Sequence, residues 1–125
     1  MMGKQYGYFN TDEFESKDGE KSPFEMVVKP EVIYLCNAIR GAFGKPLIVT
    51  SGYRSPEHNE TVGGVTDSYH SKGLACDLHC ANGETEILQH LADRLNPCGG
   101  VGYYDWGVHI DCRGTKARWD YRTKK

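Results

Sequence analysis

Two histidines and one aspartate carry the chemistry that this sequence can do. His70 and Asp77 lie in the stretch Ser68-Tyr-His70-Ser-Lys-Gly73-Leu-Ala-Cys-Asp77, and His109 follows in Val108-His109-Ile110-Asp111. Two imidazole nitrogens and a carboxylate oxygen form a mixed ligand set that suits a catalytic zinc, with a fourth position left for water. Arg54, in Ser51-Gly-Tyr-Arg54-Ser-Pro, has two readings. It is either a surface cation pairing with Glu57 or Glu60, or a bidentate fork for a substrate carboxylate. Asp111 shares a strand face with His109 and is placed to orient an imidazole, as carboxylates near metal-bound histidines do. His79 shares a face with Asp77, which leaves a supporting role open. His58 and His90 read as packing or surface residues.

These side chains need a scaffold, and the apolar periodicity supplies one. Pro30 to Phe43 reads as a helix, with Val32, Leu35, Cys36, Ile39 and Phe43 at three- and four-residue spacing, Pro at the start and Gly44 then Pro46 at the end. A buried strand from Leu47 to Thr50 delivers Ser51 to Arg54. Ser55-Pro56-Glu57 is a capped helix start, followed by the Gly-rich loop Val62-Gly-Gly-Val. Gly73 to Cys80 alternates as a strand, with Leu74, Cys76, Leu78 and Cys80 inward and Asp77 on the other face. Glu84 to Leu95 is a second amphipathic helix, stopped by Asn96-Pro97. Two strands joined tightly around Asp105-Trp106 follow, and Ala117, Trp119 and Tyr121 suggest one more, with both aromatics read as core. The fold class is α+β, with a mostly antiparallel central sheet and flanking helices. Residues 1–27 form a polar arm anchored by scattered aromatics, with a short capped turn at Asn10-Thr-Asp-Glu-Phe14.

A chain of 125 residues has room for one domain, 1–125, with that arm packed on it. A net charge of -2 leaves no excess of Lys and Arg to displace counterions from nucleic acid. No apolar run approaches the ~20 residues that span a bilayer, so membrane insertion is not expected. The N-terminus has no apolar segment of the secretory kind, which points to cytoplasmic synthesis. Five cysteines are an odd count. Cys76 and Cys80, four apart on one strand, would sit about 13 Å apart, beyond the ~4.4–6.8 Å between Cα atoms that a disulfide needs. Buried free thiols in a reducing compartment are one reading, and a cross-strand pair such as Cys80 with Cys112 is the other.

At its chemical residues the sequence resembles the zinc D-Ala-D-Ala carboxypeptidases and their relatives, the phage and bacterial peptidoglycan peptidases of the hedgehog/DD-peptidase fold. The motifs that carry the likeness are Ser51-Gly-Tyr-Arg54-Ser-Pro, Val62-Gly-Gly-Val, the Ser68-x-His70-x6-Asp77 element, and Gly102-Tyr-Tyr-Asp-Trp-Gly-Val-His109-Ile-Asp111-Cys-Arg-Gly. The resemblance implies that His70, Asp77 and His109 bind Zn2+, that Arg54 holds a substrate carboxylate, and that Ser68 contacts substrate beside it. It also implies an acidic general base three positions before the last histidine. Trp106 stands there in this chain, and the nearest acid is Asp105, four positions upstream. In a regular strand the fourth residue back shares a face with His109, so Asp105 is taken as the base, against the plainer reading of a turn aspartate. The implied activity is hydrolysis of peptidoglycan stem peptides by a monomer, as carboxypeptidase or endopeptidase. The lack of a leader suits a phage lysin (an endolysin of a bacteriophage) released to the wall, or export by another route. A non-catalytic zinc-binding module and a phage wall-docking component are the competing readings.

Overall fold

The computed structural model describes residues 3–81 and 83–123. The first two residues, and the last two lysines of the basic ending, fall outside them. A small hairpin pairs β1 (Gln5–Tyr6) with β2 (Phe9–Asn10), and leads into a single 3-10 turn over Thr11–Phe14. Asn10 and Glu13 form a reciprocal capping box there, each side chain accepting from the other's end of the turn. After an irregular stretch come α1 (Pro30–Phe43), β3 (Ile48–Ser51) and α2 (Pro56–Thr61). β4 (Ala75–His79), α3 (Thr85–Leu95), β5 (Gly100–Tyr104), β6 (Gly107–Asp111) and β7 (Ala117–Asp120) complete the chain.

The five main strands form one sheet in the order β3-β4-β6-β5-β7, antiparallel throughout except for β5 with β7. Local signals set the helix ends: Pro30 occupies the first turn of α1, and Gly44 closes it in the left-handed conformation that glycine adopts at little cost. α1 and α3 cover one face of the sheet, where Cys76, Leu78, Val101, Val108 and Ile110 meet Ile33, Cys36, Ile39, Leu88 and Ala92, all fully or almost fully buried. Each large aliphatic side chain so buried stabilises by about 1.5–3 kcal/mol. Burial therefore leaves the opposite face of β4, β5 and β6 free to carry chemistry.

The arm is part of this core. Phe9 and Phe14 are buried in the same cluster, their rings edge-on at 5.9 Å. The Asn37 side chain on α1 accepts from Tyr8 N–H and donates to the Tyr6 carbonyl, tying the hairpin to the helix.

Two expectations need correction, and of the two cysteine readings the cross-strand pair falls away. β3 is an edge strand with Ile48 half-exposed, because only β4 covers it. Trp119 is half-buried and Tyr121 exposed, because the face of β7 that holds residues 117 and 119 looks away from the helices. The cysteines are free thiols, but the close pair is Cys36 with Cys76, sulfurs 3.0 Å apart between α1 and β4. Cys112 instead lies beside Leu74, before the start of β4, and Cys80 beyond its end.

Candidate metal centre

Asp77 is the middle of the site because of its place in the sheet. It is the central residue of β4, paired directly with His109 on β6 and with Ser51 on β3. His70 reaches the same point from the turns before β4. Its ring Nε2 lies 3.2 Å and the His109 Nδ1 3.0 Å from one oxygen, Oδ1, of Asp77. One donor atom from each of the three residues falls within 4.8 Å of the others, and the two imidazoles meet edge-on at 5.1 Å.

The outer hydrogen bonds fix which nitrogen faces inward. His70 Nδ1 lies 2.8 Å from the Gly52 carbonyl, which can only accept, so this nitrogen carries the proton and Nε2 presents its lone pair. His109 is reversed: Nε2 donates to Asp111 Oδ2 at 2.8 Å, and Nδ1 faces Asp77. A lone pair and a carboxylate oxygen at such distances repel unless a proton or a metal ion lies between them. The donor set, two imidazoles and a carboxylate around one point, fits zinc.

Asp111 is wholly buried and balanced by Arg113, whose Nε and Nη2 donate to its two oxygens at 2.8 and 2.7 Å. Burial pushes the Asp111 carboxyl up, but Arg113 and His109 outweigh it and hold it well below its ordinary value. Burial likewise raises Asp77, and the hydrogen bonds from His109 and His70 bring it down. For His109, burial disfavours the charge, yet Asp111 and Asp77 together raise its pKa. The site is built to hold a positive charge at the His109 Nδ1 position.

Behind His70 stands the arm. Tyr53 N–H donates to the Phe14 carbonyl at 2.7 Å, and a Cβ at Gly52 would collide with the Phe14 backbone. The arm thus presses the Gly52 carbonyl into the position that orients His70. Asp18 in turn accepts from Ser16 and from Ser55, the cap of α2, which lower its pKa to about 2.

Arg54 lies beside the cluster, Nη2 3.7 Å from the outer oxygen of Asp77, with Nη1 donating to Asn59 Oδ1 and Nη2 to Ser51 Oγ. It is not the surface cation that pairs with Glu57 or Glu60. Ser68 is buried, and its Oγ accepts the His70 N–H at 3.1 Å. That contact steadies the turn that carries His70 and leaves the Ser68 hydroxyl proton free to donate. Asp105 is not brought to the cluster. β5 and β6 close through the two-residue turn Asp105–Trp106, so Asp105 is in no strand and the alternation argument does not reach it. Its carboxylate instead accepts from Thr123 N–H and Oγ at 3.0 and 2.8 Å. His79 Nδ1 lies 2.6 Å from the Trp106 carbonyl in that turn.

Sequence reasoning missed the wall of the site. Trp119 lies against the His109 ring at 5.2 Å, and its indole donates to the Tyr104 hydroxyl at 2.8 Å. Arg113 is stacked between Tyr69 and Trp119 at 4.5 and 5.1 Å. The signal was Gly102, across from His109 in the sheet, where any Cβ would collide with the indole.

The sheet and the turns before β4 thus bring two imidazoles and a carboxylate to one point, a group that could hold a metal ion. Residues 7–113 match the profile of the Peptidase M15 family, and the chain belongs to that family of metallopeptidases. Peptidoglycan L,D-endopeptidase MepK of Escherichia coli strain K12 is 37% identical over 82 residues, covering 58% of this chain and 44% of that protein. Proteins of the same name from Escherichia coli O157:H7 and Shigella flexneri match to the same extent. The chain spans less than half the length of these curated relatives.

Proposed function

We propose that this protein is a zinc-dependent peptidase that cleaves peptide bonds in peptidoglycan stem peptides, as an endopeptidase at a bond between an L- and a D-residue. The observation that carries the reading is the convergence of His70, Asp77 and His109, with Arg54 beside Asp77. The relatives' name supports the wall substrate and the L,D bond. Zinc bound by the three residues would act as a Lewis acid on the scissile carbonyl and lower the pKa of a coordinated water toward ~7.

The chain's own residues supply the rest. Gly52 and Asp111 hold the two imidazoles in the tautomers that leave Nε2 of His70 and Nδ1 of His109 open. Arg54 is mostly buried, and its fork is committed to Asn59, Ser51 and the neighbourhood of Asp77, which leaves further N–H donors for a substrate carboxylate. In an L-Ala–γ-D-Glu linkage the free α-carboxylate lies beside the scissile bond, where one rigid guanidinium can set the register of attack.

The test is incubation of the zinc-loaded protein with defined muropeptides, with and without a chelator, read by mass spectrometry. Chelator-sensitive cleavage between the L- and D-residues is the expected result. Loss of one terminal alanine instead would make it a carboxypeptidase. The engagement of Asp105 with Thr123 favours a second reading, a zinc-binding module without turnover. Bound zinc with no product from any wall peptide would establish that one.

A further inference from the structure

Tyr104 occupies a place that the metal ligands and Arg54 do not explain. It lies on the same face of β5 as Gly102, whose partner across the sheet is His109. Its ring is held by Trp106, stacked at 4.8 Å, and by Tyr121 at 5.7 Å. Its hydroxyl accepts the Trp119 indole N–H at 2.8 Å, and the same indole packs on His109. An indole nitrogen can only donate, so this bond fixes the polarity of the phenol: the oxygen's lone pair is committed and its proton points elsewhere. Among the described residues no acceptor is found for that proton. Arg54 and Asp77 both lie within electrostatic reach of the hydroxyl. Burial raises the phenol pKa above its ordinary value, so the proton is retained at neutral pH.

We propose that the Tyr104 hydroxyl, aimed by Trp119, donates a hydrogen bond to the scissile carbonyl oxygen as negative charge develops on it. The inference rests on the peptidase reading above. The phenol keeps its proton throughout; no bond to hydrogen is made or broken there. A preorganised donor of this kind acts on the transition state more than on the bound substrate, because its partner gains charge only as the carbonyl is attacked. Gly102 belongs to the same device, since its missing side chain is what allows the indole to lie between His109 and Tyr104.

The test is Tyr104→Phe, which keeps the ring and its stacking and removes one O–H. The expected result is a fall in kcat of about 100-fold with KM little changed, as for the loss of one oxyanion donor. Zinc stoichiometry and the thermal midpoint should equal those of the parent, which separates the effect from misfolding. A phosphinate analogue of the stem peptide gives a second readout. Tyr104→Phe should weaken its binding by the same factor as kcat/KM, while binding of the cleaved product stays unchanged. Trp119→Phe, which removes the aiming donor together with part of the wall beside His109 and Arg113, should lower kcat in the same direction. If the parent cleaves stem peptides and Tyr104→Phe stays within about threefold of it in both readouts, the donor role is overturned and the peptidase reading stands. If the parent cleaves no stem peptide, the peptidase reading itself fails, and this role with it.

Discussion

Asp111 carries a full charge with no exposed surface, and that is tolerable only because Arg113 and His109 both bond to it. Its work is indirect: it fixes the tautomer and rotation of His109. Asp111→Asn is therefore expected to weaken zinc binding by about 10–100-fold, as for other carboxylates behind a metal-bound histidine. Competition with a chromophoric chelator measures this, and an unchanged affinity would contradict the role. Asp105 leads to the opposite expectation. With its carboxylate on Thr123 and its position in an exposed turn, Asp105→Asn should leave zinc affinity intact and stability within about 0.5 kcal/mol. Its turnover should stay within about threefold of the parent, and a loss of two orders of magnitude in a steady-state assay would restore it as the general base. The convergence of His70, Asp77 and His109 was legible in the sequence because each sits in a regular strand or a Gly-marked turn, where spacing maps onto direction. Asp105 was not, because face assignment by alternation fails once a strand gives way to a turn, and the hairpin closes one residue before it.

At the scale of elements, α1 was read to both ends, since Pro30 and Gly44 are local signals that need no tertiary context. The last strand was found, but its two faces were read the wrong way round. Period-two alternation shows which residues share a face; it does not show which face the helices cover. Trp119 looks like core by composition, yet it walls the site. The arm was recognised only as something anchored by aromatics. Its contribution, through Phe14 to Tyr53 and through Gly52 to His70, runs through backbone carbonyls, which leave no trace in side-chain patterns. Phe14 is completely buried, so Phe14→Ala should cost about 3–5 kcal/mol in chemical denaturation. Because the cavity opens under Gly52, zinc affinity should fall as well, whereas the equally drastic loss of exposed Tyr34 should leave both unchanged. A Phe14→Ala protein that melts lower but binds zinc like the parent would separate the arm from the site.

For the whole molecule, the charges around the centre set a pH profile. In the metal-free protein His109 is raised above its ordinary 6.5, so its contribution is full below that pH and is lost as pH rises through the higher folded value. Asp77 and Asp111 are depressed below 3.8, so theirs is present above that pH and is lost on further acidification. The metal-free thermal midpoint should therefore plateau between about pH 4 and about pH 6.5 and fall on either side. With zinc saturating, the alkaline fall should vanish, because the metal replaces the proton on His109 Nδ1. Melts across pH with and without chelator decide it, and a metal-free midpoint that climbs from pH 6.5 to 8.5 would refute the assignment. The ligands come from the turns before β4, from β4 and from β6, while the arm that steadies His70 comes from the other end of the chain. Within this stretch the arm leaves the ribosome before the donors, and His109 is the last donor to follow. A nascent chain halted between β4 and β6 has two of the three donors and no Asp111. Metal binding of the kind proposed above would therefore wait on β6, the last strand to bring a donor to the cluster.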